Sequence, residues 1–284
     1  MTTDRYTTRR GIHVHRTVEA IPVKDAIEPV IDALDSRRGI LLASSYEYPG
    51  RYTRWDMGFV DPPLVLGARG RGLRVETLNA RGAVPLPAIA DALGGLDAIE
   101  TLDRAESSLT LTVRRPAAGF TEEARSRQPS VFSAIRVLVD LFHHGDEPHL
   151  GLYGAFGYDL AFQFEPIRPR LPRPADQRDL VLYLPDELVT VDHRREVAQR
   201  RRYDFEAGGL TTVGRPRAGS TTPYAGAAEG APPLLQLRAS SRSRRAAPPK
   251  ACMLARRSVW PVATRSVRSS GPTTATQACP AGSP

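Results

Sequence analysis

Apolar residues recur along the first two hundred or so positions in two rhythms. Ala26, Ile27, Val30, Ile31 and Leu34 follow helical spacing and would line one face. Asp25 with Glu28 makes a capping-box-like start, Pro29 sits in the tolerant first turn, and Gly39 supplies a stop. Leu86, Ile89, Ala90 and Leu93 predict a second, shorter helix ended by Gly94-Gly95. Phe132, Ile135, Leu138, Val139 and Phe142 predict a third, with Gly145 as its stop. The other rhythm has period two. Ile12–Thr17 reads as a first strand and Ile40–Ser45 as a short buried one. Thr53, Trp55, Met57 and Phe59 alternate with polar or small residues until Asp61-Pro62-Pro63 breaks the run, which makes Trp55 a core position. Leu64–Ala68 and Leu73–Leu78 flank Arg69-Gly70-Arg71-Gly72 as a hairpin. Leu109, Leu111 and Val113 form a further strand. Two strong strand signals, Leu150–Leu160 and Leu180–Asp192, enclose a Pro/Arg-rich loop, Pro166–Pro174. The polar stretch His193–Glu206 reads as a helix leading out, with Arg200-Arg201-Arg202 on its solvated face. The pattern predicts an α+β fold of largely antiparallel sheets with flanking helices.

From about Thr222 onward neither rhythm persists, and Ala, Ser, Arg and Pro dominate. Such a segment buries too little apolar surface to offset the entropy of ordering it. The expected organisation is a folded domain over residues 1–215 and a disordered tail over 216–284. Charge changes at the same place. Residues 231–284 hold nine of the 39 basic residues and none of the 31 acidic ones, so the net charge of +8 belongs to the tail. The folded part carries no excess of positive charge, and nucleic-acid binding by the tail would be non-specific. No apolar run is long enough to cross a membrane, the first ten residues have no secretory pattern, and Cys252 and Cys279 lie too far along to staple the body. A cytoplasmic protein is expected.

The candidate chemistry is sparse. His13 and His15 share a strand face, but no third ligand stands at a recognisable spacing. His143, His144 and His149 follow a helix end, where histidine complements the dipole. Asp56 and Asp61 read as turn and edge residues rather than an acid/base pair. No catalytic residue and no metal ligand is assigned. Leu41-Leu42-Ala43-Ser44-Ser45 is different: a short apolar strand ending in two hydroxyls offers walls for a ring and hydrogen bonds for a polar group.

Three segments, taken together, resemble component I of anthranilate synthase. They are Leu41–Ser45 running on through Tyr46-Glu47-Tyr48-Pro49-Gly50-Arg51-Tyr52-Thr53-Arg54-Trp55-Asp56, then Gly151-Leu152-Tyr153-Gly154-Ala155-Phe156-Gly157-Tyr158-Asp159, then Asp179–Asp186 with Val189–His193. The first is most similar to the form in which components I and II are fused. The resemblance covers residues 10–215. It implies the amino-terminal regulatory region of an enzyme that converts chorismate to anthranilate and pyruvate for tryptophan synthesis. In that family ammonia comes from glutamine through a glutaminase component. Mg2+ and the catalytic residues belong to a separate chorismate-binding domain, so no cofactor is expected in this chain.

The resemblance also implies an L-tryptophan inhibitor site at Leu41, Leu42, Ser44 and Ser45. The family's glutamate position is Ala43 here, which removes a carboxylate that could pair with the inhibitor's ammonium. Residues after Gly209 include a single acidic residue, Glu229, and no histidine, so they cannot supply a Mg2+ site. With 37 Arg against two Lys, the tail reads as out-of-frame translation of a GC-rich gene. The expectation is a chain that lacks the catalytic domain and is inactive alone. Two alternatives are a stand-alone tryptophan-binding or partner-binding module and a fragment of a sister enzyme such as aminodeoxychorismate synthase.

Overall fold

The computed structural model describes residues 1–43, 55–115, 128–165, 170–174 and 176–217. Its elements are strands β1 (Thr2–Thr7) and β2 (His13–Ile21), helix α1 (Glu28–Ala33), strands β3 (Gly39–Ala43), β4 (Trp55–Val60), β5 (Leu64–Arg69) and β6 (Gly72–Thr77), helix α2 (Leu86–Gly94), strands β7 (Ile99–Arg104) and β8 (Ser108–Val113), helix α3 (Val131–Phe142), strand β9 (Tyr153–Phe156), a 3-10 helix (Tyr158–Gln163), and strands β10 (Leu180–Leu184), β11 (Glu187–Asp192), β12 (Val197–Ala207) and β13 (Leu210–Thr211). Every strand pairing is antiparallel. Sheet A runs β1-β2-β12-β11-β4-β3, with β13 added to β12; sheet B runs β7-β8-β6-β5-β10-β9. This is the α+β architecture expected from the hydrophobic pattern.

The core follows from alternation. Leu64, Leu66, Leu73, Val75, Leu109, Leu111, Leu180, Leu182 and Leu184 line one face of sheet B. That face receives α2 through Leu86, Ile89, Ala90 and Leu93, and α3 through Val131, Ala134, Ile135, Leu138 and Phe142. Val14, Tyr203 and Phe205 of sheet A join the same core, and Phe142 meets Phe205 edge-on at 5.9 Å. At the start of α3 the Ser130 amide donates to Ser133 Oγ at 3.3 Å, which satisfies a helix-terminal group.

Several local expectations change in three dimensions. The run Leu180–Asp192 is two strands in different sheets, because the chain pivots at Pro185-Asp186. Leu150–Leu160 is extended only over Tyr153–Phe156. Gly154 lies so close to the neighbouring strand that a Cβ would strike the Val181 carbonyl. His193–Glu206 is not a helix: it contains a hairpin turn and most of the eleven-residue β12. Its inward residues, Tyr203 and Phe205, alternate as a strand requires, but arginines on both faces hide the period. Arg200 and Arg202 are tolerated because Glu19 on β2 and Glu187 on β11 receive them, and Arg201 because Thr190 and Gln199 do. Trp55 is 43% exposed rather than core. Asp25 does not cap α1, whose N-cap is Ile27, and Gly39 opens β3 instead of ending the helix. The β12–β13 hairpin turns on Gly208 and Gly209, at φ of 56° and 78°, a left-handed pair that glycine adopts without strain.

Candidate functional site

The segment expected to bind a ligand lies on β3, an edge strand of sheet A. In the β3–β4 ladder Leu41 opposes Gly58, Leu42 opposes Met57 and Ala43 opposes Asp56. Met57 opposes Thr190 on β11, and Thr190 opposes Gln199 on β12. Directly opposed residues share a face and successive ones alternate. Leu42, Met57, Thr190 and Gln199 therefore form one row across four strands. Phe59 shares that face and packs edge-on against Tyr153 and Tyr183 of sheet B, at 6.0 and 6.3 Å between ring centroids. The row thus looks toward sheet B, and its floor is a mixture of apolar and hydroxyl groups.

Leu41 points the other way. A Cβ built on its partner Gly58 would meet Val30 Cγ1 of α1 at 2.8 Å, so that face is the one α1 covers. The structure puts Leu41 and Leu42 on opposite faces of the sheet, and only Leu42 shares the face turned toward sheet B. Ser44 and Ser45 lie outside the described residues. Asp56, beside Ala43 on the α1 side, has its Oδ2 at 2.7 Å from His193 Nε2.

The strand pleat also divides the three consecutive arginines. Arg200 and Arg202 belong to the outer face, where they pair with Glu19 and Glu187. Arg201 belongs to the face turned toward sheet B. Its Nη1 donates to Thr190 Oγ1 at 2.7 Å and its Nη2 to Gln199 Oε1 at 2.6 Å. Both acceptors are neutral, and burial lowers the guanidinium pKa. The sequence shows three equivalent arginines; only the strand assignment reveals that the middle one is different. Near the same face, Tyr153 OH donates to the His149 carbonyl at 2.6 Å, and burial pushes its phenol upward. Burial and the nearby Arg201 charge lower the His149 pKa.

Over 220 residues, 78% of this chain, the sequence is 53% identical to a protein named anthranilate synthase from Azospirillum brasilense. It is 30% identical over 176 residues to anthranilate synthase component 1 of Vibrio cholerae, and 31% over 167 residues to that of Serratia marcescens. The chain is an anthranilate synthase component I-like amino-terminal region. It spans about a third of the length of these curated relatives, at 30%, 32% and 31%. No protein-family model matches it.

The buried carboxylates of this component I-like region do not fit Mg2+. Each is already engaged: Asp61 by Arg37, Glu147 by Arg16, Asp179 by Arg173, Asp186 by Arg81, and Asp192 by the Arg194 and Arg195 amides. Among the described residues no three His, Cys, Asp or Glu side chains gather as a metal site. His13 bonds Thr7 Oγ1, and His15 lies 4.0 Å from Glu206. No helix of the described residues is long and apolar enough to cross a membrane.

Arg81 stands out among the ionic groups, because it is only 1% exposed. Its Nε donates to Asp186, Nη2 to Asp204 Oδ1 at 2.8 Å and to the Tyr203 carbonyl at 3.0 Å, and Nη1 to the carbonyls of Thr212 and Arg215 at 2.8 and 3.1 Å. Arg217 adds a second cation, 3.1 Å from Asp204. The node binds the β10–β11 pivot to β12 and to the segment after β13. It is a structural clamp, since its donors are all consumed internally.

Proposed function

We propose that residues 1–215 are the amino-terminal regulatory region of an anthranilate synthase and respond to L-tryptophan at the Leu41–Ser45 segment and the face of sheet A beside it. The complete enzyme would form anthranilate and pyruvate from chorismate and glutamine, with a glutaminase component and a Mg2+-bearing chorismate-binding domain doing the chemistry. The observation that carries the reading is the 53% identity to the Azospirillum protein across 78% of this chain. The composition of the face of sheet A turned toward sheet B supports it: Leu42, Met57 and Phe59 are apolar, while Thr190, Gln199 and Arg201 offer polar groups, the mixture that an amino-acid ligand with a large ring needs. Ser44 and Ser45, next along from Ala43, belong to the same proposal as hydroxyl donors.

The test has two arms on the full 284-residue chain. Calorimetric titration with L-tryptophan should give saturable binding. A fluorescence assay for anthranilate with chorismate, glutamine and Mg2+ should give no product from this chain alone. Sustained anthranilate formation would place the chemistry here and defeat the reading. Absence of tryptophan binding would remove the regulatory part of it.

A further inference from the structure

His13 and His15 stand two apart on β2, so their side chains leave the same face of sheet A. That face is the outer one: Val14 between them is fully buried, His13 is exposed, and the His15 side chain is 23% exposed. Spacing along the chain shows no third donor beside the pair, but the strand ladder does. Glu206 of β12 stands opposite His13, and Asp204 stands opposite His15. Asp204 is taken up by Arg81, Arg217 and Thr212. Glu206 is half exposed, and its Oε2 lies 4.0 Å from His15 Nε2. On the other flank of β2, Thr7 stands opposite His13 and places its Oγ1 2.9 Å from His13 Nδ1. When Nδ1–H donates to that oxygen, the lone pair of His13 Nε2 is left open for a cation. Neutral imidazole nitrogen suits Ni2+, Cu2+ and Zn2+, whereas Mg2+ takes oxygen. The two rings and Glu206 do not gather as a three-ligand set. The arrangement is therefore a two-nitrogen chelate completed by water, with a carboxylate beside it that adds charge and accepts from a metal-bound water. Both rings reach solvent, so they can turn onto a cation without disturbing the core.

We propose that His13 and His15 form a surface chelate for a divalent transition cation of the Ni2+, Cu2+ and Zn2+ class. Glu206 is the facing carboxylate, and Thr7 is the positioning residue that holds the His13 ring. A cation there ties β2 to β12 through Glu206 and stabilises that ladder by mass action. The site lies on the outer face of sheet A and does not rest on the proposed function.

The experiment titrates the full chain with Ni2+ by calorimetry, in a Cys252→Ser/Cys279→Ser background so that thiols do not compete. Saturable binding at a single site is expected, Cu2+ should bind more tightly than Ni2+, and Mg2+ should not compete. Ni2+ is paramagnetic, so the ring-proton NMR signals of His13 and His15 should broaden before those of the other histidines. His13→Gln and His15→Gln should each weaken Ni2+ about tenfold or more, because a chelate becomes a single ligand. Glu206→Gln should weaken it about two- to fivefold, the scale of an exposed charge pair. Thr7→Val should weaken binding and shift the ring-nitrogen signals of His13 while leaving those of His15 in place. His193→Gln, at the far end of sheet A, should change nothing. A folded chain that binds no Ni2+ overturns the inference. So does binding that keeps its affinity in the His13→Gln/His15→Gln double variant, or broadening that falls first on other histidines. Tryptophan titrations of the same variants keep the two readings apart, since loss of the Ni2+ site should leave any tryptophan binding unchanged.

Discussion

Replacing Arg81 with methionine keeps the bulk of the side chain and removes every donor. The Arg81 and Asp186 side chains are 1% and 4% exposed, so the lost contacts cannot be made up by bulk water. Asp186 loses its closest cation and keeps only Arg217, 3.6 Å away. The carbonyls of Tyr203, Thr212 and Arg215 lose donors as well. Removing one partner of a buried pair costs about 3–5 kcal/mol, a large share of the roughly 5–15 kcal/mol that holds a domain folded. Urea unfolding of the full chain, followed by far-ultraviolet circular dichroism, should show the midpoint falling accordingly. The pH dependence has a defined sign. Burial already raises the Asp186 pKa against the pull of Arg81, and without Arg81 that rise grows. A carboxyl whose folded pKa exceeds its unfolded value favours folding at low pH and loses that contribution as pH rises. The deficit of Arg81→Met should therefore be greatest near neutrality and shrink on acidification. The double variant Arg81→Met/Asp186→Leu should recover much of the loss, since an apolar pair leaves no charge stranded. A single variant that loses less than about 1 kcal/mol, or a double variant no better than the single, would refute the assignment of Arg81 as the clamp.

Two further outcomes concern the loop after α3 and the β9 edge. His149 has a lowered pKa, so it is neutral in the fold and protonates more readily when unfolded; stability should fall as pH drops through the ordinary histidine range, and His149→Gln should flatten that slope in melts across pH 5–8. Gly154→Ala places a Cβ against the Val181 carbonyl, a backbone atom that cannot rotate away, and should cost about 1–3 kcal/mol in the same urea assay; a neutral result would mean that β9 can move aside.

The fold class was legible because alternation in β5, β6, β8 and β10 and helical spacing in α2 and α3 reflect burial of one face against one core. Three places resisted. β12 carries arginines on both faces, and its acceptors Glu19 and Glu187 are distant in sequence, so no local window shows why a strand tolerates them. The pivot at Pro185-Asp186 is stabilised by Arg81, about a hundred positions earlier, and an apolar run gives no sign of changing sheets. Trp55 alternates correctly but sits at the start of β4, where the sheet has less to cover it. For the site, the Leu-Leu-Ala segment was found from its motif, but Leu41 and Leu42 could not be told apart until the pairing with Gly58 and Met57 assigned each a face. Arg201 carried no local signal; its distinction depends on Thr190 and Gln199 being acceptors where Glu19 and Glu187 serve its neighbours.

The pivot between β10 and β11 joins the ladders physically. The same short backbone pairs with β5 and β9 on one side of Pro185 and with β4 and β12 on the other. Sheet A cannot slide or fray at its centre without dragging β10, a strand paired on both sides in sheet B. Amide exchange in the two sheets should thus follow one opening event rather than two. A ligand that stiffens β11 would slow exchange in β10 through the chain itself, with no side-chain relay between the sheets.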